Sequence, residues 1–276
     1  MLIVPLGSGS GGNCTYYESD GTRLLVDAGF GPRETAKRLA AIGRSIEQLD
    51  AILITHEHSD HVHGAEKIAR KFGVRIFLTE GTLGATRIDP DEAPVVPFAN
   101  DRAFRIGEVL VHPRRTIHDA ADSACFVLEA RDGTRAGIAS DLGYADPAVV
   151  GHLRDCEVLL FEANHDLDML RTGTYPWSLK RRILSNHGHL SNDDAMVAIR
   201  KMIGPATRSL CLIHLSEKNN HPAIVEPMAR AMLAEVGARI ELRIAEQRRP
   251  IAPFVANRGA IPPPVRSFRP AQLALF

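Results

Sequence analysis
The chain has 276 residues, 45% of them hydrophobic and 24% charged, with 33 Lys and Arg balancing 33 Asp and Glu. This is an ordinary globular composition, long enough to bury a substantial core and too apolar for a disordered chain. The apolar runs are far too short to cross a bilayer, and Met1-Leu2-Ile3-Val4-Pro5 lacks a basic segment leading into a long apolar stretch, so a cytoplasmic protein with no membrane partner is expected. Zero net charge argues against a strongly basic nucleic-acid binder, yet it hides an asymmetry. From residue 247 onward there are five arginines and no acidic residue or lysine, which leaves the preceding 246 residues at a formal charge of minus five. An acidic body fits a metal site, whose carboxylates are offset by cations that the count omits. Cys14, Cys125, Cys156 and Cys211 are too widely spaced for structural zinc or a disulfide framework and read as small buried hydrophobes.

Taken in chain order, strands are expected at 2–6, 15–17, 23–26, 51–54 and 75–78, then at 104–106, 109–113, 124–128, 135–139, 158–161 and 210–213. Helical spacing appears at 32–41, 62–72, 147–153, 176–185, 192–203 and 222–235. Pro32, Pro147, Pro176 and Pro222 suit first helical turns, and Ser191 with Asp194 forms a capping-box pattern. Strand runs on both sides of single helices imply an α/β fold of two sheets packed face to face with helices outside. The early stretch Gly7-Ser8-Gly9-Ser10-Gly11-Gly12-Asn13 lacks the lysine of a phosphate-binding loop and precedes no long helix, so it reads as a tight turn. One domain over 1–245 and a tail over 246–276 account for the whole pattern.

The chemistry lies in the turn after the apolar run Ala51-Ile52-Leu53-Ile54, where His56-Glu57-His58-Ser59-Asp60-His61 puts three imidazoles and a carboxylate side by side. Such donors suit divalent ions, and a pair of ions needs about six or seven protein ligands. Three more candidates each follow an expected strand: His118 in Thr-Ile-His-Asp, Asp141 in Ser-Asp-Leu-Gly, and His214 after Leu210-Cys211-Leu212-Ile213. A lone histidine or aspartate is more often structural, and it is the ordered set that carries the signal. His63, His112, His152, His187 and His221 lack this strand-end context.

This series resembles the metallo-β-lactamase superfamily over nearly all of residues 1–245, which implies that family's αββα sandwich. By that resemblance His56, His58 and His118 hold one divalent ion, Asp60, His61 and His214 hold a second, and Asp141 bridges them, with zinc or manganese as the metal. Glu162-Ala163-Asn164-His165-Asp166, Tyr175-Pro176, Gly188-His189-Leu190-Ser191-Asn192, His214-Leu215-Ser216 and Asn219-Asn220 are similar to the YycJ/WalJ family of bacterial hydrolases. Glu162-Ala163 and Gly188-His189 also resemble paired proton-transfer elements of RNase Z. The resemblance implies a DNA nuclease, a 5′-to-3′ exonuclease of repair or replication. An RNase Z-like RNA nuclease, an ester or lactone hydrolase, and a non-catalytic clamp-binding module are its competitors.

A 3′-oxygen leaves poorly until it is protonated, and a histidine beside a carboxylate can supply that proton. His189 is accordingly expected to be the general acid and Glu162 its partner. Asp60 and His165 are further catalytic candidates, His165 through phosphate contact or proton transfer. The alternative is that His189 caps the helix near Ser191 and Glu162 makes an ordinary salt bridge. Lys180, Arg181 and Arg182 are expected to receive substrate phosphates, unless they are simply a solvated helix face. From Arg248 onward six prolines and the absence of apolar periodicity read as an extended tether. It ends in Gln272-Leu273-Ala274-Leu275-Phe276, which resembles the pentapeptide by which bacterial DNA-processing enzymes bind the replication sliding clamp. Gln272 would offer an amide to a polar subpocket while Leu273, Leu275 and Phe276 fill an apolar groove.

Overall fold
The structure, a computed structural model, describes residues 1–257. In chain order the first six strands are β1 Leu2–Gly7, β2 Cys14–Ser19, β3 Thr22–Val26, β4 Ala51–Leu53, β5 Arg75–Thr79 and β6 Val95–Phe98. The next seven are β7 Phe104–Ile106, β8 Val109–Arg115, β9 Ala124–Glu129, β10 Arg135–Ala139, β11 Val158–Glu162, β12 Ser209–Ile213 and β13 Glu241–Ile244, and β14 is Phe254–Val255. Among the described residues they form two seven-stranded sheets, β14-β1-β2-β3-β4-β5-β6 and β13-β12-β11-β10-β9-β8-β7.

The central strands of both sheets are apolar on both faces. In β11, Val158 and Leu160 enter the cluster between the sheets with Leu24, Phe77 and Phe126, while Leu159 and Phe161 face a second cluster with Ala195, Ile199 and Met232. Outer helices supply that second cluster: α5 Pro147–Leu153, α8 Asn192–Met202 and α9 Pro222–Glu235. The other sheet likewise buries Val4, Leu6 and Ile52 against Leu39 of α1 Pro32–Ala41 and Ile68 of α3 Ala65–Phe72. A strand covered on both sides has no polar face to preserve, which is why 51–54, 158–161 and 210–213 read as unbroken apolar runs. The result is the expected αββα sandwich.

Two differences from the sequence reading bear on function. The helical pattern at 62–72 is two helices, α2 Ser59–Val62 and α3, separated at Gly64, whose amide donates to Ala28 O at 2.7 Å. A Cβ on Gly64 would lie 1.9 Å from Phe30 O, so only glycine lets the loop after β3 press against the metal-motif turn. The body also continues past residue 245. Ile3 pairs with Phe254, Phe254 is fully buried, and the Gln247 side chain accepts from Gly11 N at 2.7 Å while donating to Gly12 O at 2.9 Å. The chain over 246–257 is therefore part of the sandwich, and the body does not end at 245 as expected. Gln272, Leu273, Leu275 and Phe276 lie outside the described residues. Finally, no helix among the described residues is long and apolar enough to cross a membrane.

Candidate metal centre
Strands β3 and β4 run parallel in one sheet, as do β10, β11 and β12 in the other, and their C-terminal ends deliver the polar residues to one edge. His56, His58 and His118 offer ligand atoms within 4.8 Å of one another, as do Asp60, His61 and His214, and His56, His61 and Asp141. All seven ligand candidates from the sequence are thus brought together. Asp141 lies between the groups: its Oδ2 is 3.2 Å from His61 Nε2, and its Oδ1 is 3.3 Å from His214 Nδ1 and 4.0 Å from His118 Nε2.

The imidazoles are oriented by acceptors that the sequence reading missed. Asp27 Oδ2 lies 2.8 Å from His61 Nδ1, and Asp27 Oδ1 accepts from Thr55 N at 2.8 Å. The Thr55 hydroxyl is 3.0 Å from His56 Nδ1. Gly188 O is 3.0 Å from His118 Nδ1, and Glu162 Oε1 is 3.1 Å from His214 Nδ1. In His56, His61 and His118 the Nδ1 is engaged from behind, which leaves Nε2 facing the cluster. Asn13 Nδ2 reaches His61 Nε2 at 3.0 Å and Asp60 Oδ2 at 3.2 Å, so the glycine-rich turn closes the site instead of cradling phosphate.

Several atoms are left in a condition that favours cation binding. His56 Nε2, His214 Nε2 and Asp141 Oδ2 are buried without a hydrogen-bond partner, which is costly unless another ligand satisfies them. Asp27, Asp141 and His214 also hold φ of 61°, 57° and 56°. Left-handed backbone at non-glycine residues costs of order 1–3 kcal/mol each and concentrates at functional sites. Nitrogen and carboxylate donors of this kind fit a divalent ion.

Electrostatics follow the burial. Burial drives His56 well below the usual histidine range, with repulsion from His61 adding to it, and burial also lowers His118. Burial opposes charge on His61 and His214 as well, but carboxylates prevail there. Asp141 and Asp27 hold His61 well above its ordinary value, and Asp141, Asp60 and Glu162 push His214 up to about 10. Burial would raise the acids, yet His214 and His61 hold Asp141 well below the carboxylate range, and His189 and His214 hold Glu162 below it.

His189, from the loop between α7 Trp177–Ile183 and α8, sets its Nδ1 2.8 Å from Glu162 Oε1. Its ring centroid is 5.2 Å from those of His118 and His214. Glu162 does more than partner His189: it also engages His214, and its Oε2 accepts from Leu142 N at 2.7 Å beside Asp141. The capping role falls to Ser191, whose hydroxyl accepts from Asp194 N at 3.1 Å, so His189 is free of it. His165 stands outside the ligand groups. It is 1% exposed, neither ring nitrogen has a hydrogen-bond partner, and burial pushes it down to about 4.

The basic run divides. The Lys180 ammonium is buried and donates to Arg171 O at 2.7 Å and Gly173 O at 2.6 Å, so it ties α7 to α6 Leu167–Thr172 and does not face a substrate. Arg182 is half exposed and pairs at 2.5 Å with Asp119, which lies 3.1 Å from His118 Nε2. It stands at the rim of the centre.

The chain has similar counterparts among known proteins. Residues 22–215 match the family model described as the Beta-lactamase superfamily domain. The chain is 36% identical to the exodeoxyribonuclease WalJ of Streptococcus pneumoniae over 87% of this chain and 91% of the relative. It is 34% identical to the exodeoxyribonuclease YycJ of Bacillus anthracis over 84% and 89%. Among solved structures, the metallo-β-lactamase fold protein YhfI of Bacillus subtilis superposes with a TM-score of 0.69 at 16% identity, covering 91% of this chain and 98% of that one. The chain belongs to the metallo-β-lactamase superfamily and, within it, to the group that contains WalJ and YycJ.

Proposed function
We propose that the protein is a cytoplasmic, divalent-metal-dependent DNA nuclease, a 5′-to-3′ exonuclease of repair or replication. The observation that carries this reading is the His189–Glu162 contact of 2.8 Å beside the ligand cluster, a proton donor set where a leaving oxygen would emerge. Kinship with WalJ and YycJ, both named exodeoxyribonucleases, supports DNA as the substrate. His56, His58 and His118 would hold one ion and Asp60, His61 and His214 another, with Asp141 between them, and zinc or manganese would suit these donors. When bound, the ions would neutralise phosphate charge and acidify the attacking water.

The chain's own residues do the rest. His189 holds a proton at Nε2 for the leaving 3′-oxygen, and the Glu162 carboxylate stabilises the charged imidazole at Nδ1. Asp60 is available at the mouth of the site to orient the attacking water. Arg182 can exchange Asp119 for a backbone phosphate, a bidentate anion that suits guanidinium. Gln272, Leu273, Leu275 and Phe276 would dock on the replication sliding clamp, and tethering would raise the local concentration of nuclease at DNA.

The test is purified protein with Mn²⁺ or Zn²⁺ on 5′- and 3′-end-labelled single- and double-stranded DNA and on matched RNA. Mononucleotides released from the 5′ end of DNA are expected. Cleavage of RNA with DNA left intact would overturn the assignment. Removing residues 272–276 should abolish clamp binding without altering turnover on free oligonucleotides, and retained binding would refute the docking role.

A further inference from the structure
His189 has a second neighbourhood. Besides facing the ligand imidazoles, it lines a cavity of about 530 Å³. Three loops that supply the metal centre also build this cavity: Asp141 is followed by the wall at 143–145, Glu162 by His165, and His189 by Leu190 and Ser191. Helix α5 with Arg154 just past its end, and helix α8 with Val197 and Lys201, complete it. The volume falls in the range of roughly 300–1,000 Å³ typical of pockets that hold one small molecule.

The lining is specific. Tyr144 is 46% exposed and Val197 56%, so an aromatic and an aliphatic surface stand open at the cavity. Arg154 and Lys201 make no ion pair among the described residues. His165 is 1% exposed, and both of its ring nitrogens lack partners. An apolar and aromatic surface, two cations without an ion pair and an unsatisfied imidazole match the base, the phosphate and the polar edge of a nucleotide.

Building on the nuclease reading, we propose that this cavity seats the terminal nucleotide on the leaving side of the scissile phosphodiester. Its base packs on Tyr144 and Val197, a polar group meets His165, its 5′-phosphate lies at Arg154 and Lys201, and its 3′-oxygen points to His189. In the reaction the bond from phosphorus to the 3′-oxygen breaks and one from phosphorus to the water oxygen forms. His189 delivers a proton to the 3′-oxygen, and the water proton passes to solvent. The products are a nucleoside 5′-monophosphate and a strand with a new 5′-phosphate, which presents the same group to Arg154 and Lys201 in the next cycle. Exonucleolytic mode and polarity then share one cause, a seat for a single nucleotide beside the general acid.

The test uses the full chain with Mn²⁺ on 5′-phosphorylated and 5′-hydroxyl single-stranded DNA, on bis(4-nitrophenyl) phosphate, and in equilibrium binding of thymidine 5′-monophosphate. Lys201→Ala, a surface change, should erase the preference for 5′-phosphorylated DNA and weaken thymidine 5′-monophosphate by roughly tenfold, the scale of one charge-assisted contact. Val197→Trp, which fills the cavity, should raise KM for DNA by a similar factor. The proposal is overturned if both variants hydrolyse the small diester and keep wild-type KM and 5′-phosphate preference, or if the wild type releases nucleotides from the 3′ end. Tight, Lys201-dependent binding of thymidine 5′-monophosphate without hydrolysis of any phosphodiester would sink the nuclease reading and support the seat.

Discussion

Replacing Asp27 by asparagine removes one charge and converts one acceptor to a donor, with the carbon skeleton unchanged. Oδ1 can still accept from Thr55 N and Thr55 Oγ1, at 2.8 and 3.0 Å, so the turn before His56 keeps its anchor. Asparagine also tolerates the left-handed backbone at φ 61°, which spares the fold. The change falls on His61, whose Nδ1 lies 2.8 Å from Oδ2. An amide nitrogen in place of Oδ2 would set donor against donor, and the ring responds by moving its proton to Nε2, the atom that must ligate. Loss of such a supporting contact costs about 10- to 100-fold in metal affinity, or about 1.4–2.7 kcal/mol. Calorimetric titration with Zn²⁺ and thermal unfolding of the metal-free variant should show weakened binding with the fold retained. Affinity within twofold of wild type would refute the argument that Asp27 fixes the His61 tautomer.

His189→Ala should keep its metal while losing about 10²-fold or more in DNA turnover, and a substrate with a better leaving group should narrow the deficit; loss of metal instead would make His189 a ligand. Metal loading should also release protons, because carboxylates hold His61 and His214 protonated in the metal-free state, the latter up to about 10. Affinity should therefore rise with pH by about tenfold per unit for each proton displaced, whereas a flat profile from pH 6 to 9 would contradict it. The same raised value gives metal-free protein a contribution to stability that is full below the unfolded histidine value and fades as pH climbs toward about 10, visible as a falling Tm in chelator. Lys180→Ala should cost about 1–3 kcal/mol of stability by stranding two carbonyls and leave KM for DNA unchanged; a raised KM in a fully stable variant would restore its phosphate-binding role.

Sequence spacing carried the metal centre because His56, His58, Asp60 and His61 are local, and Asp141 and His214 each follow a strand buried on both faces. The strands that escaped notice are edges. In β6 Pro97 obscures the pattern, which an edge position tolerates, while β13 and β14 are short and pair on one side only. The tail boundary was misplaced for the same reason: prolines at 250 and 253 precede Phe254, a core residue with no periodic neighbours to announce it. Asp27 did leave a signal, an acid directly after the apolar strand Leu24-Leu25-Val26, the very context that singled out Asp141. Asn13, Thr55 and Asp119 act through contacts that spacing cannot reveal. In the run 180–182 composition suggested a single role, but only the helix rotation separates inward Lys180 from outward Arg182.

The most direct test of the account is a titration of metal-free protein with Mn²⁺ or Zn²⁺ in which bound metal and DNA turnover are measured in the same samples. Turnover should be absent without metal, rise with occupancy and level off at about two ions per chain. His58→Ala should bind less metal and remain inactive at every concentration. Full turnover in chelator-treated protein, or wild-type turnover by His58→Ala, would contradict the claim that these strand-end histidines and aspartates form the catalytic centre.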